Sequence, residues 1–379
     1  MRVLHLMRGS EEVYGAERVI FAELEKLRLA GVDARFLMLQ ESRLGEAGDL
    51  MGKLLEEMGV PVVRVPVDKA ISTRAVTDLR RAIEREAPQV VHTHGYKGDV
   101  YGLLACRLAK VPVVGEIHGW LFPRDDYVIR FYEWLDVQAL KRMDAVIVLA
   151  DHYRRMILRM GFQSQRIKLI PSGVDVPALK AKVGQADLRQ RLGIAADRPV
   201  IGMLTRLSHE KGVDLFLRAF ALVRRRHPRA VGVVFGDGPE RQALAQLAAE
   251  LELGPTELVW AGYCAEAMDA LCALDVVAQT SRTEALPQAL MEAMVMERPV
   301  VVTAVGGCPE LVQEGETGYV VPSSDPETIA ARLCHLIEHP DLALRMGRSG
   351  AARIAEGYTM QHWVERTLRV YETLSRAPS

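Results

Sequence analysis

The chain has 379 residues, of which 49% are hydrophobic and 26% are charged. This is an ordinary composition for a soluble globular protein, and the length is enough for two domains with separate cores. The formal net charge of −1 excludes the strongly basic balance of many nucleic-acid-binding proteins, so we expect no nucleic-acid partner.

Neither the N-terminus nor the cysteines indicate export. The stretch MRVLHLMRGSEEVYG is interrupted by His5 and Arg8 and lacks the continuous apolar region of a signal peptide. No run of about 18 apolar residues predicts a transmembrane helix. The five cysteines are scattered and form no C-x-x-C pair, which argues against disulfides and a zinc site. We therefore expect a cytoplasmic protein in a reducing compartment.

Short apolar runs alternate with longer helical patterns along the chain, and the short runs predict strands. In the first half they are Val3–Met7, Ala34–Leu39, Val62–Pro66, Val90–His92, Val113–Glu116, Ala145–Leu149 and Ile167–Ile170. In the second half they are Val200–Leu204, Gly232–Phe235, Leu258–Ala261, Val276–Gln279, Val300–Thr303 and Tyr319–Val321. Helical patterns such as Ala16–Ala30 and Leu215–Arg226 lie between them. This alternation predicts an α/β protein with two doubly wound parallel sheets.

The boundary between the two sheets is predicted after Asp175, because Val176–Arg198 reads as a linker followed by a lead-in helix. We expect one domain at 1–175, a second at 176–358, and a terminal amphipathic helix within 359–379. In open α/β sheets, ligands bind beyond the carboxyl ends of the strands. The motifs that follow strands are therefore the candidates for function.

The strongest of these motifs is Ser281–Glu292, which follows the strand Val276–Gln279. Pro287 suits the first turn of a helix, where its missing N–H costs nothing. Glu284 precedes that helix and Glu292 lies along it, while free amides at a helix start can bind an anion. The alternative interpretation is two ordinary surface glutamates, because Glu is common in helices.

Neighbouring motifs favour the functional interpretation. Arg206 and Lys211 follow the strand Val200–Leu204, and two cations suit the two charged groups of a diphosphate. Gly236 begins a sharp turn after another strand. Downstream, a strand runs into the pair Gly306-Gly307.

Taken together, these residues resemble the retaining GT-B glycosyltransferases of family 4 (GT4, glycosyl transferases group 1). The resemblance covers nearly the whole chain and is strongest over Val200–Pro322. It implies two Rossmann-like doubly wound parallel-sheet domains that face a deep cleft. It also implies a nucleotide-diphosphate sugar as donor, transfer with retention of anomeric configuration, and no requirement for a metal or other cofactor.

The resemblance also implies roles for the residues of the second domain. Arg206 and Lys211 would bind the diphosphate and stabilise the departing charge. Glu284 would hold hydroxyls of the donor sugar, and Glu292 would accept hydrogen bonds from the ribose. The remaining predicted donor contacts are Gly236 and the turn formed by Ala285, Leu286, Pro287 and Gln288.

This chain departs from the family pattern at two places. Ala285-Leu286-Pro287 stands where the family often has Gly-Phe-Gly, so Pro287 cannot donate a backbone N–H to a phosphate. Ser172-Gly173-Val174-Asp175 stands where the family often has Asn-Gly-Val-Asp. Serine can make a similar turn contact.

The first domain carries less specific matches. In the family, a glycine-containing turn matching Tyr14-Gly15-Ala16-Glu17 approaches the donor phosphate, although this stretch also reads as an ordinary helix N-terminus. The family has a histidine in the position of His118, which follows the strand Val113–Glu116. The resemblance therefore implies that His118 contacts the donor sugar or the acceptor hydroxyl as a catalytic residue. His92 and His94 have a spacing that could suit a metal, but no third ligand is evident, so we predict no metal site.

Six aromatic residues fall within Trp120–Trp134, and Lys141–Lys168 carries seven cations against two acids. Aromatic side chains flanked by cations suit an anionic membrane surface. They also suit acceptor binding, and the alternative is that the aromatics pack in the core while the cations lie on a solvated helix face. The sequence leaves these possibilities open.

From the family resemblance we expect transfer of a sugar from a UDP- or GDP-sugar to a hydroxyl of a glycan or glycolipid, in surface polysaccharide biosynthesis. A covalent route needs a carboxylate nucleophile, and none is evident, which favours attack from the same face as the leaving diphosphate. The terminal helix Met360–Ser375 would cross back to the first domain. Alternatives are a GT-B-fold nucleotide-sugar epimerase or inverting transferase, and a two-domain sugar-binding protein.

Overall fold

A computed structural model describes residues 1–10, 15–41, 49–68, 72–118, 127–184, 187–265, 267–322 and 325–376. The chain divides into two compact units. Unit 1 is formed by Met1–Gly173 and by the segment that starts at Met360, and unit 2 is formed by Val174–Thr359. The domain boundaries expected from the sequence lie within two residues of this division.

Unit 1 contains a seven-stranded parallel sheet with the strand order β3-β2-β1-β4-β5-β6-β7. Its strands are β1 Arg2–Arg8, β2 Asp33–Glu41, β3 Val62–Val67, β4 Val90–His94, β5 Val113–Ile117, β6 Ala145–Val148 and β7 Ile167–Leu169. Its helices are α1 Gly15–Leu29, α2 Leu50–Glu57, α3 Thr73–Glu86, α4 Gly95–Ala109, α5 Tyr127–Leu140, α6 Asp151–Arg159 and α16 Met360–Arg376. Every residue of β4 and β5 is buried, as expected of central parallel strands covered on both faces.

The last helix, α16, belongs to unit 1, where it packs against α1 and beside β4. Its pattern is amphipathic, and its apolar side includes Trp363 and Tyr371, both of which are fully buried. Burial of two aromatic side chains from the chain terminus contributes several kcal/mol, at roughly 25 cal/mol per Å² of apolar surface. The core of unit 1 is therefore completed by a segment that follows unit 2 in the sequence.

Unit 2 contains a six-stranded parallel sheet with the order β10-β9-β8-β11-β12-β13. Its strands are β8 Val200–Leu204, β9 Val231–Phe235, β10 Leu258–Gly262, β11 Val276–Gln279, β12 Val300–Thr303 and β13 Gly318–Val321. Its helices are α7 Val176–Ala181, α8 Leu188–Arg191, α9 Val213–Arg226, α10 Arg241–Glu250, α11 Ala267–Cys272, α12 Gln288–Val295, α13 Cys308–Leu311, α14 Pro326–Glu338 and α15 Pro340–Gly357. The segment Val176–Arg198, predicted as a linker and a lead-in helix, contains two short helices, α7 and α8.

The strand order reverses between β1 and β4 in unit 1 and between β8 and β11 in unit 2. A crevice forms outside the carboxyl ends of the strands at such a reversal, and ligands bind there in open α/β sheets. In unit 2 the two reversal strands are followed by Arg206 and Lys211 and by Ser281 and Glu284. The fold thus confirms the prediction of two doubly wound parallel sheets and locates the candidate residues at one edge.

Among the described residues, none of the helices combines the length and the apolar character that crossing a bilayer requires.

Candidate active site

Lys211 and Glu284 meet at the reversal point of unit 2. Lys211 ends a short 3₁₀ turn, His209–Lys211, after β8. Glu284 lies in the loop that joins β11 to α12. The Lys211 Nζ atom donates to Oε1 of Glu284 at 2.8 Å, with side-chain exposures of 26% and 7% respectively. The interpretation of Glu284 as an ordinary surface glutamate is therefore wrong.

Oε1 of Glu284 accepts from three donors. Besides Lys211, Nε2 of Gln279 donates at 2.8 Å and Oγ of Ser281 donates at 2.7 Å. The other oxygen, Oε2, has no hydrogen-bond partner in the described part of the chain. The carboxylate is thus held rigidly by one oxygen while the second is left to accept from another group.

A second set of hydrogen bonds joins the segment around Lys211 to the loop that contains Glu284. The Arg282 guanidinium donates to both carboxylate oxygens of Asp214, at 2.8 and 2.7 Å, and to the carbonyl of His209 at 2.9 Å. Thr280 Oγ1 donates to the carbonyl of Gly212 at 2.8 Å. Bidentate arginine–carboxylate pairs fix orientation as well as distance. Sequence reasoning missed Arg282 and Asp214, because nothing in the sequence links residues that far apart.

Two glycines of this region are required by close backbone contacts. Gly306 has a φ of +52°, and a Cβ placed on it would lie 1.7 Å from the carbonyl oxygen of Glu284. Gly236 has a φ of +129°, and its Cβ would lie 1.8 Å from the carbonyl oxygen of Thr205. Both glycines therefore shape the loops beside Glu284 and Arg206.

The turn before α12 differs from the prediction in one detail. Pro287 is the N-cap residue and α12 begins at Gln288, so the proline precedes the helix instead of occupying its first turn. Leu286 and Pro287 are buried and Ala285 is half-buried. The carbonyl of Ala285 accepts from the amide of Gly307 at 2.8 Å, which ties this turn to the Gly306-Gly307 pair.

The remaining predicted residues of unit 2 lie at the same edge of its sheet. Arg206 is exposed in the loop after β8. Gln288 and Glu292 lie on α12 and are half-buried. The structure brings Lys211 and Glu284 into direct contact. Binding of the diphosphate by Arg206 and of the ribose by Glu292 stays a prediction.

In unit 1, His118 follows β5 and is 18% exposed. Its Nε2 atom lies 3.0 Å from Nδ1 of His94 and 3.7 Å from Oε1 of the fully buried Glu116. Burial lowers the pKa of His118, and the nearby Glu116 opposes that shift. The imidazole of His118 is thus mostly neutral, and its Nε2 atom contacts His94 and Glu116.

His118 is the most exposed member of a larger buried network. His94 Nε2 lies 3.0 Å from His5 Nδ1, and the Tyr371 hydroxyl lies 2.7 Å from His92 Nδ1 and 3.4 Å from His5 Nε2. Burial lowers the pKa of His5 and His94, and it lowers that of His92 to about 3. The sequence had drawn attention to His92 and His94, but not to His5 or Tyr371.

Two groups within this network have ligand atoms within 4.8 Å of one another: His5, His92 and His94, and His94, Glu116 and His118. Such distances would suit a metal in principle. In the structure, however, both nitrogens of His5 and of His94 face imidazole or hydroxyl partners at hydrogen-bond distance. Hydrogen bonding accounts for this arrangement, and we assign no metal to it.

Two predictions for unit 1 fall at the edge of the described residues. Gly15 is the first residue of α1, while Tyr14 lies outside the described residues. Of the aromatic segment, Trp120 and Phe122 also lie outside them.

The described aromatics of α5 are mostly exposed. Tyr127 is 79% exposed, and Phe131 and Trp134 are each 55% exposed. These three side chains are therefore not packed in the core, whereas Tyr132 of the same helix is half-buried. They form an apolar surface together with Val128, which is 65% exposed, and we call these four residues the α5 surface.

Comparison with known proteins agrees with the fold. The family model "Glycosyl transferases group 1" matches residues 184–353, and "Glycosyl transferase 4-like domain" matches residues 14–173. The crystal structure of Anabaena HepE in complex with UDP has a TM-score of 0.84, with 23% identity and full coverage of both chains. These findings define the class: the chain is a glycosyltransferase with the GT-B architecture.

Curated relatives are glycosyltransferases as well. The chain is 25% identical over 365 residues to the Escherichia coli UDP-Gal:alpha-D-GlcNAc-diphosphoundecaprenol alpha-1,3-galactosyltransferase, covering 94% of this chain and 93% of the relative. It is 27% identical over 311 residues to the alpha-D-kanosaminyltransferase of Streptomyces kanamyceticus, covering 78% of this chain and 80% of the relative. The chain belongs to the GT4-type glycosyltransferases.

Proposed function

We propose that this enzyme transfers a sugar from a UDP- or GDP-sugar to a hydroxyl of a glycan or glycolipid, with retention of anomeric configuration. The observation that supports this most is the contact between Lys211 and Glu284 at the reversal point of unit 2. In this proposal Lys211 is a cation that would bind phosphate, and it lies beside a carboxylate that would bind sugar hydroxyls. These are the two kinds of group that a nucleotide-diphosphate sugar needs.

Lys211 and Arg206 supply the charge for the diphosphate. The Lys211 ammonium has three N–H donors, and one of them donates a hydrogen bond to Glu284 Oε1. The other two can donate to phosphate oxygens. Arg206 is exposed and offers a planar guanidinium that can bind phosphate with two parallel hydrogen bonds. Both cations would stabilise the negative charge that develops on the leaving nucleotide. The proposal therefore includes no metal or other cofactor.

Glu284 would bind the donor sugar and not attack it. Its Oε1 atom is engaged by three donors, and an oxygen held in this way is a poor nucleophile. Its Oε2 atom can accept from a sugar hydroxyl. Without a carboxylate nucleophile, we propose that the acceptor hydroxyl attacks beside the leaving diphosphate. A phosphate oxygen would take the acceptor proton, and the bond between the sugar and the diphosphate would break.

The other predicted residues complete the proposal. Glu292 would accept hydrogen bonds from the ribose, and amides of the turn Ala285–Gln288 would approach the phosphates. Pro287 has no N–H to donate. The remaining donor amides of this turn are therefore those of Ala285, Leu286 and Gln288. His118 would contact the donor sugar or the acceptor hydroxyl, and Gly15 would let the start of α1 approach the donor phosphate.

Donor binding can be tested by thermal unfolding of the purified protein with a panel of UDP-, GDP- and ADP-sugars. A ligand present at a hundred times its Kd stabilises the native state by about 2.7 kcal/mol. We expect one nucleotide class to raise Tm, and Arg206→Ala to weaken its binding about 10- to 100-fold, because a hydrogen bond to a charged group is lost. Arg218→Ala, which removes another exposed arginine of unit 2, is the matched control. The donor assignment fails if no nucleotide sugar changes Tm.

We further propose that the α5 surface contacts an anionic membrane. Exposed apolar groups of this kind mark an interaction site, and Arg130 lies among them, exposed. Arg154, Arg155 and Arg159 are exposed on α6 of the same unit. Aromatic side chains near cations suit an interface with anionic lipids. The name of the Escherichia coli relative includes a diphosphoundecaprenol acceptor, and a lipid-linked acceptor would bring an enzyme to the membrane.

Vesicle sedimentation tests this contact. The wild-type protein is expected to co-sediment with vesicles that contain phosphatidylglycerol at low salt, and to dissociate as the salt concentration rises. Phe131→Ser with Trp134→Ser should reduce the bound fraction several-fold, because two apolar anchors are lost. Leu344→Ser changes a similarly exposed apolar residue, 56% exposed, in unit 2 and should have no effect. Equal binding by the double variant and wild type would rule out the α5 surface as the contact.

A further inference from the structure

The histidine network of unit 1 links the last helix of the chain to His118. A neutral imidazole has one N–H and one lone pair, so in a hydrogen-bonded chain of imidazoles each ring determines the tautomer of the next. The hydrogen-bonded series runs from His92 through Tyr371, His5 and His94 to His118. Glu116 lies beside both of its ends, with Oε2 facing His92 and Oε1 3.7 Å from Nε2 of His118. The contact between His92 Nε2 and Glu116 Oε2 is 3.3 Å long, though its angles are not those of an aligned hydrogen bond.

The protonation state of Glu116 determines which member of each hydrogen-bonded pair in this series is the donor. The charge of an ionised Glu116 favours a proton on the facing Nε2 of His92, 3.3 Å away, so Nδ1 of His92 accepts from the Tyr371 hydroxyl. The Tyr371 oxygen then accepts from Nε2–H of His5. His5 Nδ1 in turn accepts from Nε2–H of His94. Finally, Nδ1 of His94 accepts from Nε2–H of His118, and Nδ1 of His118 is left as an acceptor.

A single added proton on Glu116 reverses every one of these bonds. A protonated Glu116 has no charge to favour a proton on the facing Nε2 of His92, and its own O–H favours a lone pair there, so the proton of His92 lies on Nδ1 and is donated to Tyr371. The Tyr371 hydroxyl donates to Nε2 of His5. His5 then donates from Nδ1 to Nε2 of His94, and His94 donates from Nδ1 to Nε2 of His118. Nε2 of His118 is therefore an acceptor, and Nδ1 of His118 carries the proton. Each imidazole keeps one proton in both states, and the network as a whole has gained one.

We propose that Tyr371 and Glu116 are positioning residues that determine, through this relay of buried histidines, whether Nδ1 of His118 donates or accepts a hydrogen bond. The inference rests on the proposed role of His118 as a polar contact to substrate. If Nδ1 of His118 is unprotonated, it would accept a hydrogen bond from a hydroxyl of the donor sugar or of the acceptor substrate. With Nδ1 as a donor, it would bind the oxygen of the same hydroxyl or an anionic oxygen.

The surroundings of the relay are consistent with both states. Burial lowers the pKa of His5, His92 and His94, which keeps these rings neutral with one proton each. Burial raises the pKa of Glu116, and His118 opposes this shift, so the carboxyl takes up its proton more readily as the pH falls. The titratable groups that interact with Glu116 are His92, His118, Glu23 from α1, Asp99 from α4 and Tyr371 from α16.

The relay can be observed directly by ¹⁵N NMR of the imidazole nitrogens, because protonated and unprotonated ring nitrogens have well-separated chemical shifts. In the wild-type protein we expect His5, His92, His94 and His118 to share one tautomer, with Nε2–H on all four rings where Glu116 is ionised. Lowering the pH should convert all four rings to Nδ1–H together.

Tyr371→Phe removes the oxygen that joins His92 to His5 and should change His118 from a single tautomer to a mixture of two. Tyr101→Phe is the matched control, because Tyr101 is equally buried in unit 1 and its hydroxyl accepts from the Ser72 amide, away from the relay. It should leave the tautomer of His118 unchanged. Thermal unfolding checks that both variants are folded.

Three outcomes would overturn the proposal. One is a wild-type protein in which the four rings hold different tautomers, a result that needs no variant at all. Another is a folded Tyr371→Phe protein in which His118 keeps its wild-type tautomer. The third is a stoichiometric metal in the purified protein bound to these rings, because metal-bound nitrogens carry no proton. None of these readouts depends on sugar transfer, so failure of the relay and failure of the proposed function are distinguishable.

Discussion

Lys211→Ala is expected to lower kcat/KM about 10²- to 10³-fold, the usual loss when one preorganised donor to a developing charge is removed. The ammonium would neutralise the departing diphosphate, and it also donates to Glu284 at 2.8 Å. Its removal leaves Glu284, whose side chain is 7% exposed, with Gln279 and Ser281 as neutral donors. Both the phosphate contact and the orientation of the sugar contact should therefore weaken.

Steady-state kinetics with the donor identified in the binding panel measure this effect. Lys182→Ala removes an exposed lysine of the same unit and should keep wild-type kinetics. Circular dichroism and thermal unfolding show whether the Lys211 variant is folded. A folded Lys211→Ala enzyme with near-wild-type kcat/KM would contradict the assignment of Lys211 to the diphosphate.

Gly306→Ala is expected to destabilise unit 2 by about 2–5 kcal/mol and to remove most activity. A left-handed backbone costs a non-glycine residue about 1–2 kcal/mol. Overpacking costs about 1–3 kcal/mol more, because the new Cβ would lie 1.7 Å from the carbonyl oxygen of Glu284. Relief of this clash requires the loop of Glu284 to move. A displacement of about 1 Å in a positioned catalytic group can cost 10²-fold in rate.

Denaturant unfolding and steady-state kinetics measure the two parts of this prediction. Gly315→Ala is the control, because its φ is +78° but nothing lies within 4 Å of the added Cβ. That variant should show only the backbone cost of about 1–2 kcal/mol and should keep its activity. If both variants lose the same stability and keep the same activity, then the close approach of Gly306 to Glu284 has no functional importance.

The sequence predicted the strands well, because apolar runs in a doubly wound sheet are short, continuous and separated by helices. Each of the thirteen predicted strands is present with ends within two residues. The helix starts were harder to place. Pro287 fits the first turn of a helix by propensity, yet α12 begins one residue later, since capping geometry depends on the local φ and ψ angles.

The contacts within the site could not be predicted, because they join residues that are far apart in the sequence. Nothing in the local pattern pairs Arg282 with Asp214 across 68 positions. His5 lies on β1 and His94 ends β4, and only the pairing of these two strands brings their rings together. The types of residue in the site could be read from motifs, whereas their partners required the fold.

The division of the chain has a consequence for biosynthesis. Unit 2 is one continuous segment, whereas unit 1 is built from two segments that flank unit 2 in the sequence. A ribosome releases the N-terminal part first, so β4 and α1 must wait for α16 until the segment after unit 2 has been synthesised. Until then His92 lacks the hydroxyl of Tyr371, and the apolar surface that Trp363 covers is open. A message truncated before codon 360 would therefore yield a complete unit 2 attached to an unfinished unit 1, a product suited to recognition by chaperones and proteases.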